Sequence, residues 1–521
     1  MSRNVFNPKF QQLKGKESWN KNLQLTTLVA QRLYSSLGPN GAYKMVTYNK
    51  GPEKVVKITK DAVAILEECA LEYPTVMVLS EAAKMQRQQV GDGVTSMVIL
   101  VSALLKNADK LKKQKVHPIT ILNGYQEAAK KAVQIINSNS KPSIGNRLDA
   151  IVSMLDCGRG CLTQELSGML NDAAEICSYN GIVDKARTKI IRKPGGDIWQ
   201  TQLVKGLAVK KCKCHPNMPN TLTAPTIAVT SQRIGINRLE IKMPSQGPFH
   251  MQLDVDTPEK RSAYKQAEEQ QKNTALNKLQ AVGANVLFSQ QPIDDYSKSK
   301  LLRMGVLAFE SVDRKDLESI CKATGTTMVG NLTDLTPANL GKAEGLETEK
   351  IGLETITTLT GCDFATFIVR GSTVQALDEQ EHLVSNYLSL LDVAEKTGGL
   401  VAAGGAIEMA VARELQAFAL EFGGREQLAV EAFADAVLDA PRCLAANCGL
   451  NPDEALAQWR KLQNDGFLDY GLAADGCFGK VGSELSEVKV SIITRTFEVA
   501  TLLLRIDEQI AYKEIVKFHK K

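Results

Sequence analysis

The chain has 521 residues, enough for roughly three domains with cores of their own, and a composition of 44% hydrophobic and 23% charged residues that is ordinary for a folded protein. Its 63 basic and 58 acidic residues are spread along the whole length, so the net charge of +5 comes without a like-charge tail and implies no nucleic-acid partner. No apolar run approaches the roughly 18 residues that cross a bilayer, and Met1-Ser2-Arg3-Asn4 opens no signal-peptide core, which argues against a membrane partner and predicts a cytoplasmic protein.

Taken in chain order, apolar residues at helical spacing (Leu23, Leu25, Leu28, Val29, Leu33) predict a helix over 18–37 that stops at Leu37-Gly38-Pro39-Asn40-Gly41. That turn lets backbone come close to a ligand. A strand over 54–58 leads through Thr59-Lys60-Asp61-Ala62 into an apolar helix over 63–69, with Asp61 expected in its first turn. Pro74 opens a helix that runs into Val90-Gly91-Asp92-Gly93-Val94-Thr95-Ser96, the apolar run 97–105 follows at once, and 118–136 makes one more helix. From 143 to the break at Pro194-Gly195-Gly196 the pattern stays helical but more polar.

Between about 205 and 360 the character changes. Short β-rich runs at 226–229, 285–288 and 305–309 alternate with charged helices such as 258–282, which argues an α/β domain with parallel pairing. Cys212-Lys213-Cys214-His215 has no second ligand pair at usable spacing, so it reads as loop or strand rather than metal site, and the 11 cysteines read as reduced core residues. The stretch 244–249, with Met251 and Leu253 after it, is an exposed segment with apolar teeth, either a binding surface or a loop. After Gly371 the chain is helical again: a glycine-rich loop over 397–406 precedes an amphipathic helix from Ile407, and 425–519 is mainly helix with an irregular stretch over 465–483. The order helical, α/β, helical suggests that the two ends share one domain.

The turn at Gly91 to Ser96 carries the most chemistry. A glycine-flanked turn opening directly into a helix leaves the first N–H groups unpaired, with the positive end of the helix dipole behind them. Asp92 adds a hard carboxylate oxygen suited to Mg²⁺ beside a phosphate, and Thr95 and Ser96 add hydroxyls. Alone it is also an ordinary Asp-Gly turn with a hydroxyl cap. The nearby loops at Gly38 and Asp61, each leading into or out of an apolar helix, strengthen a nucleotide reading.

Together and in order, these stretches resemble the group II chaperonins, the archaeal thermosome and the eukaryotic cytosolic TRiC or CCT. The resemblance spans almost the whole chain. It runs from Leu37-Gly38-Pro39-Asn40-Gly41 through Lys60-Asp61-Ala62-Val63-Ala64-Ile65-Leu66, Gly91-Asp92-Gly93-Val94-Thr95-Ser96, His215-Pro216-Asn217-Met218-Pro219, Val282-Gly283-Ala284-Asn285-Val286 and Arg370-Gly371-Ser372-Thr373. It continues through Gly404-Gly405-Ala406-Ile407-Glu408, 427–435, Pro441-Arg442-Cys443-Leu444-Ala445-Ala446-Asn447 and Leu504-Arg505-Ile506-Asp507. Pro441 to Ala445 and Gly206 to Lys211 lean weakly toward the eukaryotic theta subunit, although the motif at His215 is shared with thermosomes.

The resemblance implies an α/β multidomain chain: a mainly helical equatorial domain from 1–145 and 398–521, a small α/β intermediate domain from 146–210 and 363–397, and an α/β apical domain over 211–362 whose protrusion near 243–270 serves as a lid. It implies ATP and Mg²⁺ as ligands, unfolded proteins as clients, and paralogous subunits as partners in two stacked eight-membered rings. Carried over position by position, Leu37, Gly38, Pro39 and Gly41, with Gly91, Asp92, Gly93, Val94, Thr95 and Ser96, resemble the phosphate loops, and Asp92 the Mg²⁺ ligand. Asp61 is similar to the acid beside the γ-phosphate, Gly404 and Gly405 to the glycine loop at the nucleoside, and Glu484 to the adenine-side acid.

Departures from the family pattern are as informative. The family's catalytic Asp, on the helix before the glycine-rich loop, falls on Asn386 when counted back from Leu400-Val401 with Glu381 as anchor; Asp378 or Asp392 takes its place if the register slips. An amide hydrogen-bonds but cannot serve as a carboxylate base. Asn-Asp-Gly-Val-Thr is here Lys60-Asp61-Ala62-Val63-Ala64, Pro-Gly-Gly-Gly is Ala402-Ala403-Gly404-Gly405, Val94 stands where Thr is common, and Gly-Val-Asp is Gly471-Leu472-Ala473. Two principal readings follow: a chaperonin subunit that binds and hydrolyses ATP, or a nucleotide-binding but hydrolysis-deficient structural subunit of the same hetero-oligomeric ring. A free-standing client-binding protein outside any ring is a third.

Overall fold

The computed structural model describes residues 10–50, 53–69, 73–142, 164–179, 182–183, 185–231, 234, 240–241, 249–250, 270, 273–351 and 354–512. The expected lid over 243–270 therefore lies outside the described residues except at 249, 250 and 270, as do Met251, Leu253 and the start of the 258–282 helix. The chain divides into two compact units, Met1–Leu170 with Val374–Lys521, and Asn171–Thr373. The two chain ends thus share one unit.

That first unit is built around a helix that sequence alone makes central. Val94–Lys113 carries apolar residues at almost every position from Met97 to Leu105, and a helix apolar all round must be packed on all sides. It is covered by the helices Gly15–Tyr34, Arg425–Val437 and Ser486–Arg505, while Pro118–Ser138 packs on the last two. Pro118 sits in the first turn, where its missing N–H is no loss, and the His117 ring accepts from Ile119 N at 3.2 Å. Tyr125 is fully buried against Phe433, ring centroids 5.7 Å apart, and its hydroxyl donates to the Leu104 carbonyl at 3.0 Å. The predicted strand at 54–58 is the second arm, Glu53–Thr59, of a hairpin whose first arm, Lys44–Lys50, was not expected. The first and last strands of the unit, Phe10–Lys14 and Glu508–Tyr512, pair antiparallel.

The second unit holds the parallel pairing that the alternating pattern predicted. Thr226–Thr230, Val286–Ser289 and Leu307–Phe309 lie parallel, with Gly341–Lys342 antiparallel at the edge. From Ile227 onward the side chains of the three parallel strands are buried on both faces, Phe288 stacking on Phe309 at 4.7 Å, as expected for strands covered on both sides. The stretch expected to stay helical and polar contains the helix Gln164–Ile176 and then a strand, Thr188–Pro194, parallel to Ala365–Gly371. Its partner is far away in sequence, so the pairing leaves no local signature. Cys212 to His215 is a loop: His215 Nδ1 accepts from Asn217 N at 3.2 Å, and burial pushes the Cys214 thiol up to about 12.

Candidate functional site

A cleft of about 220 Å³ opens within the first unit. Leu37, Gly38, Pro39, Asp61, Gly91, Asp92, Gly93, Val94, Thr95, Ser96, Asn386, Gly404, Gly405 and Glu484 all line it. Loops that are hundreds of residues apart in the chain meet there. Gly41 does not line the cleft; its N–H donates to the Gly38 carbonyl at 3.2 Å, and it lies against Ser36 and the Lys60 stem behind the loop. Neither Asp378 nor Asp392 lines it either, and Asp392 is paired with Lys396 at 2.8 Å.

The Gly91-Asp92-Gly93 turn is built on left-handed backbone. Gly91 (φ 85°) ends the helix Pro74–Val90, its N–H donating to the Arg87 carbonyl, and Gly93 (φ 84°) starts Val94–Lys113. A Cβ on Gly91 would stand 2.6 Å from the Ser389 Cβ, and one on Gly93 2.6 Å from Ile492. Only glycine accepts both the torsion and the approach. No side chain caps Val94–Lys113, so its first N–H groups face the cleft beside the exposed Asp92 carboxylate. A second helix, Ala406–Ala419, begins at Gly405, again without a side-chain cap, and Gly405 and Glu408 line the same cleft. Two uncapped helix N-termini make an anion-binding environment.

Asp61 lies just before the helix Ala62–Cys69 rather than in its first turn. Its Oδ1 accepts from Val63 N at 3.4 Å, while Oδ2 receives Arg87 Nη1 at 2.6 Å. The other end of that guanidinium donates to His382 Nδ1, tying the Asp61 corner to the helix Val374–Thr397 that carries Asn386. Beside it, the buried Lys60 donates from Nζ to the Gly38 carbonyl at 2.8 Å.

At another part of the cleft Lys489 bridges two carboxylates, Glu408 at 2.7 Å and Glu484 at 2.5 Å. Glu484 Oε1 also accepts from Gly404 N at 3.3 Å. Burial, reinforced by the charge of Glu408, pushes the Glu484 carboxyl above its ordinary range against the pull of Lys489. Burial opposes the charge on Lys489, but the two carboxylates more than offset it and hold its ammonium more firmly protonated than usual. Glu408 Oε2 is buried without a hydrogen-bond partner.

Arg87 and Lys489 are site residues that sequence reasoning missed, and Glu408 entered only as part of a motif. Lys489 did leave a trace: it is an ionisable residue beside Val488 and near Ile492 and Ile493 on an otherwise apolar helix face. Arg87, among Gln86, Gln88 and Gln89, looks like an ordinary solvated helix position.

A family model, the TCP-1/cpn60 chaperonin family, matches residues 29–514. The chain belongs to the TCP-1/cpn60 chaperonin family. It is 33% identical to a thermosome subunit of Methanopyrus kandleri, covering 98% of this chain and 94% of that one. It is 34% identical to thermosome subunit alpha of Archaeoglobus fulgidus and 33% identical to thermosome subunit beta of Thermoplasma acidophilum, each over 96% of this chain and 93% of the relative. This chaperonin is therefore a group II subunit, a chaperone for the folding of other proteins, while these relatives do not select the theta type.

Proposed function

We propose that this chaperonin subunit binds ATP with Mg²⁺ in the cleft at Gly91 to Ser96, hydrolyses it slowly, and uses the bound-state difference to drive a ring between states that hold and enclose unfolded clients. The observation that carries the reading is the convergence in one cleft of two uncapped helix N-termini, the Asp92 carboxylate and the Glu408-Lys489-Glu484 group. The first set suits phosphates; Glu484 supplies an acceptor for the nucleoside. The donors also fit the metal: Asp92 with the Thr95 and Ser96 hydroxyls offers hard oxygen. Bound Mg²⁺ would neutralise charge on the transferring phosphoryl group.

The chain's own groups set the pace. Backbone N–H groups at Val94 to Ser96 hold the phosphates, and Asn386 hydrogen-bonds the attacking water without taking up its proton. Asp61 is already engaged by Arg87 and its own helix start. The hydrolysis-deficient alternative is not favoured, given the near full-length likeness to thermosome subunits. We assign 1–145 and 398–521 to an equatorial domain, 146–210 and 363–397 to an intermediate one, and 211–362 to a client-binding apical one. Paralogous subunits in two stacked eight-membered rings are the proposed partners. The paired strands Lys44–Lys50 and Glu53–Thr59 support such contacts: Met45 is 69% exposed, with Val56 and Ile58 also open to solvent. No described helix is long and apolar enough to cross a membrane, and we place the subunit in the cytosol.

Calorimetric titration of the full-length chain with ADP tests the assignment. With Mg²⁺ present, Asp92→Asn is expected to weaken binding on the order of tenfold and to leave Mg²⁺-free binding nearly unchanged; equal affinity of both proteins in Mg²⁺ would remove Asp92 from the metal site.

A further inference from the structure

We propose that Lys193 and Arg370 form a binding site for a small oxyanion of the inorganic phosphate class, at the adjacent ends of two parallel strands in the second unit. The site lies wholly within that unit and does not depend on the nucleotide reading. Thr188–Pro194 and Ala365–Gly371 run parallel in a register that sets Lys193 beside Arg370 and, two residues earlier, Ile191 beside Ile368. Register partners leave a sheet on the same face, and the alternation of side chains puts both pairs on one face. The two isoleucines, each 3% exposed, pack with Ile356 and Ala208. Where that apolar patch ends, the same face carries two cations side by side.

Both cations are short of partners. Lys193 is 6% exposed, and among the described residues its Nζ and the Arg370 Nε are buried without a hydrogen-bond partner, a costly state for a charged group. The carboxylates that act on Lys193 are Glu354 and Glu349, and Glu354 is held by Lys210 Nζ at 3.0 Å. Lys193, Arg370 and Lys210 thus stand as three cations against two carboxylates. Burial and the charge of Arg370 hold the Lys193 ammonium below its ordinary range, and the two carboxylates offset this only in part. A multiply charged oxyanion answers both needs, because its oxygens accept from the ammonium and from Nε at once and its charge cancels the surplus. The backbone leaves a way in. Beyond the strand end Gly195 and Gly196 turn on left-handed torsions (φ 95° and 85°), and a Cβ on Gly195 would meet nothing within 4 Å. A Cβ on Gly196 would lie against the Gln200 amide and 3.5 Å from the Arg370 Cδ, so glycine keeps this turn close to the site. The carboxyl ends of parallel strands are also where open α/β sheets take their ligands.

The test titrates the full-length chain with inorganic phosphate by calorimetry, in chloride buffer with EDTA, with and without ADP, and compares it with Lys193→Met and Arg370→Gln. A saturable phosphate site is expected that ADP leaves in place and that either substitution weakens on the order of tenfold or more. Thermal midpoints add a second readout. Phosphate should raise the midpoint of the wild type and not that of Lys193→Met, while in chloride alone Lys193→Met should unfold at no lower temperature than the wild type, since it removes a buried surplus charge. If Lys193→Met does not fold, Arg370→Gln carries the comparison. Absence of saturable binding overturns the proposal, and so does phosphate binding that both variants keep and ADP abolishes, which would belong to the nucleotide cleft. A marked drop for Lys193→Met in chloride, with a wild-type midpoint indifferent to phosphate, also overturns it and marks Lys193 as the counter-ion of Glu349 and Glu354.

Discussion

Asn386 lines the cleft, and on the proposed reading, in which this position faces the attacking water, an amide can orient that water but not deprotonate it. Asn386→Asp in the assembled particle is expected to raise the single-turnover rate on the order of a hundredfold with nucleotide affinity barely changed. An unchanged rate would mean that another carboxylate does the work. Lys489 makes the opposite point, that a residue can be needed by the site through charge balance alone. It is only 11% exposed between Glu408 and Glu484, so Lys489→Met leaves two largely buried carboxylates facing each other. Loss of one member of such a group costs about 3–5 kcal/mol. Chemical denaturation should show a loss of that size, and one under ~1 kcal/mol, typical of an exposed pair, would show that solvent screens the group. The pairings of Arg87 and Lys489 were not legible in the sequence because an ion pair is a property of the fold: Lys489 and Glu408 lie 81 positions apart.

At the scale of elements, local chemistry wrote most of the helices into the chain. Pro74 and Pro118 mark starts and the glycine at 91 a stop, and these signals act within one turn. The strands Lys44–Lys50 and Thr188–Pro194 were missed because a strand needs a partner, and their own residues mix lysine with β-branched side chains. Asp109 shows how helices are held to one another. It accepts from the Trp19 indole at 2.9 Å and pairs with Lys113 at 2.7 Å, joining Val94–Lys113 to Gly15–Tyr34. Burial acts to raise its pKa, but the hydrogen bonds from Lys113 and Trp19 outweigh it and hold the carboxyl below its usual range. A lowered folded-state pKa gives stability that is present above the unfolded value near ~3.9 and lost as pH falls through the folded one. Thermal midpoints measured from neutral to acidic pH should therefore separate wild type from Asp109→Asn above that value and converge below it. A constant gap across the range would assign the effect to packing.

For the whole molecule, motif order in the sequence carried the family and most of the cleft, because the left-handed backbone and close approaches at Gly91 and Gly93 require glycine whatever the rest of the fold does. Asp61 was legible as an acid at the cleft, whereas its engagement by Arg87 was not. The ring and the chamber of the proposed function lie beyond a single chain. The most direct measurement is protease protection of a bound unfolded client in the particle that contains this subunit, with and without ATP and Mg²⁺, for wild type and Asp92→Asn. ATP with Mg²⁺ is expected to bring protection, and the variant to weaken it. Protection that needs no nucleotide, or that Asp92→Asn leaves untouched, would contradict the claim that this cleft drives enclosure.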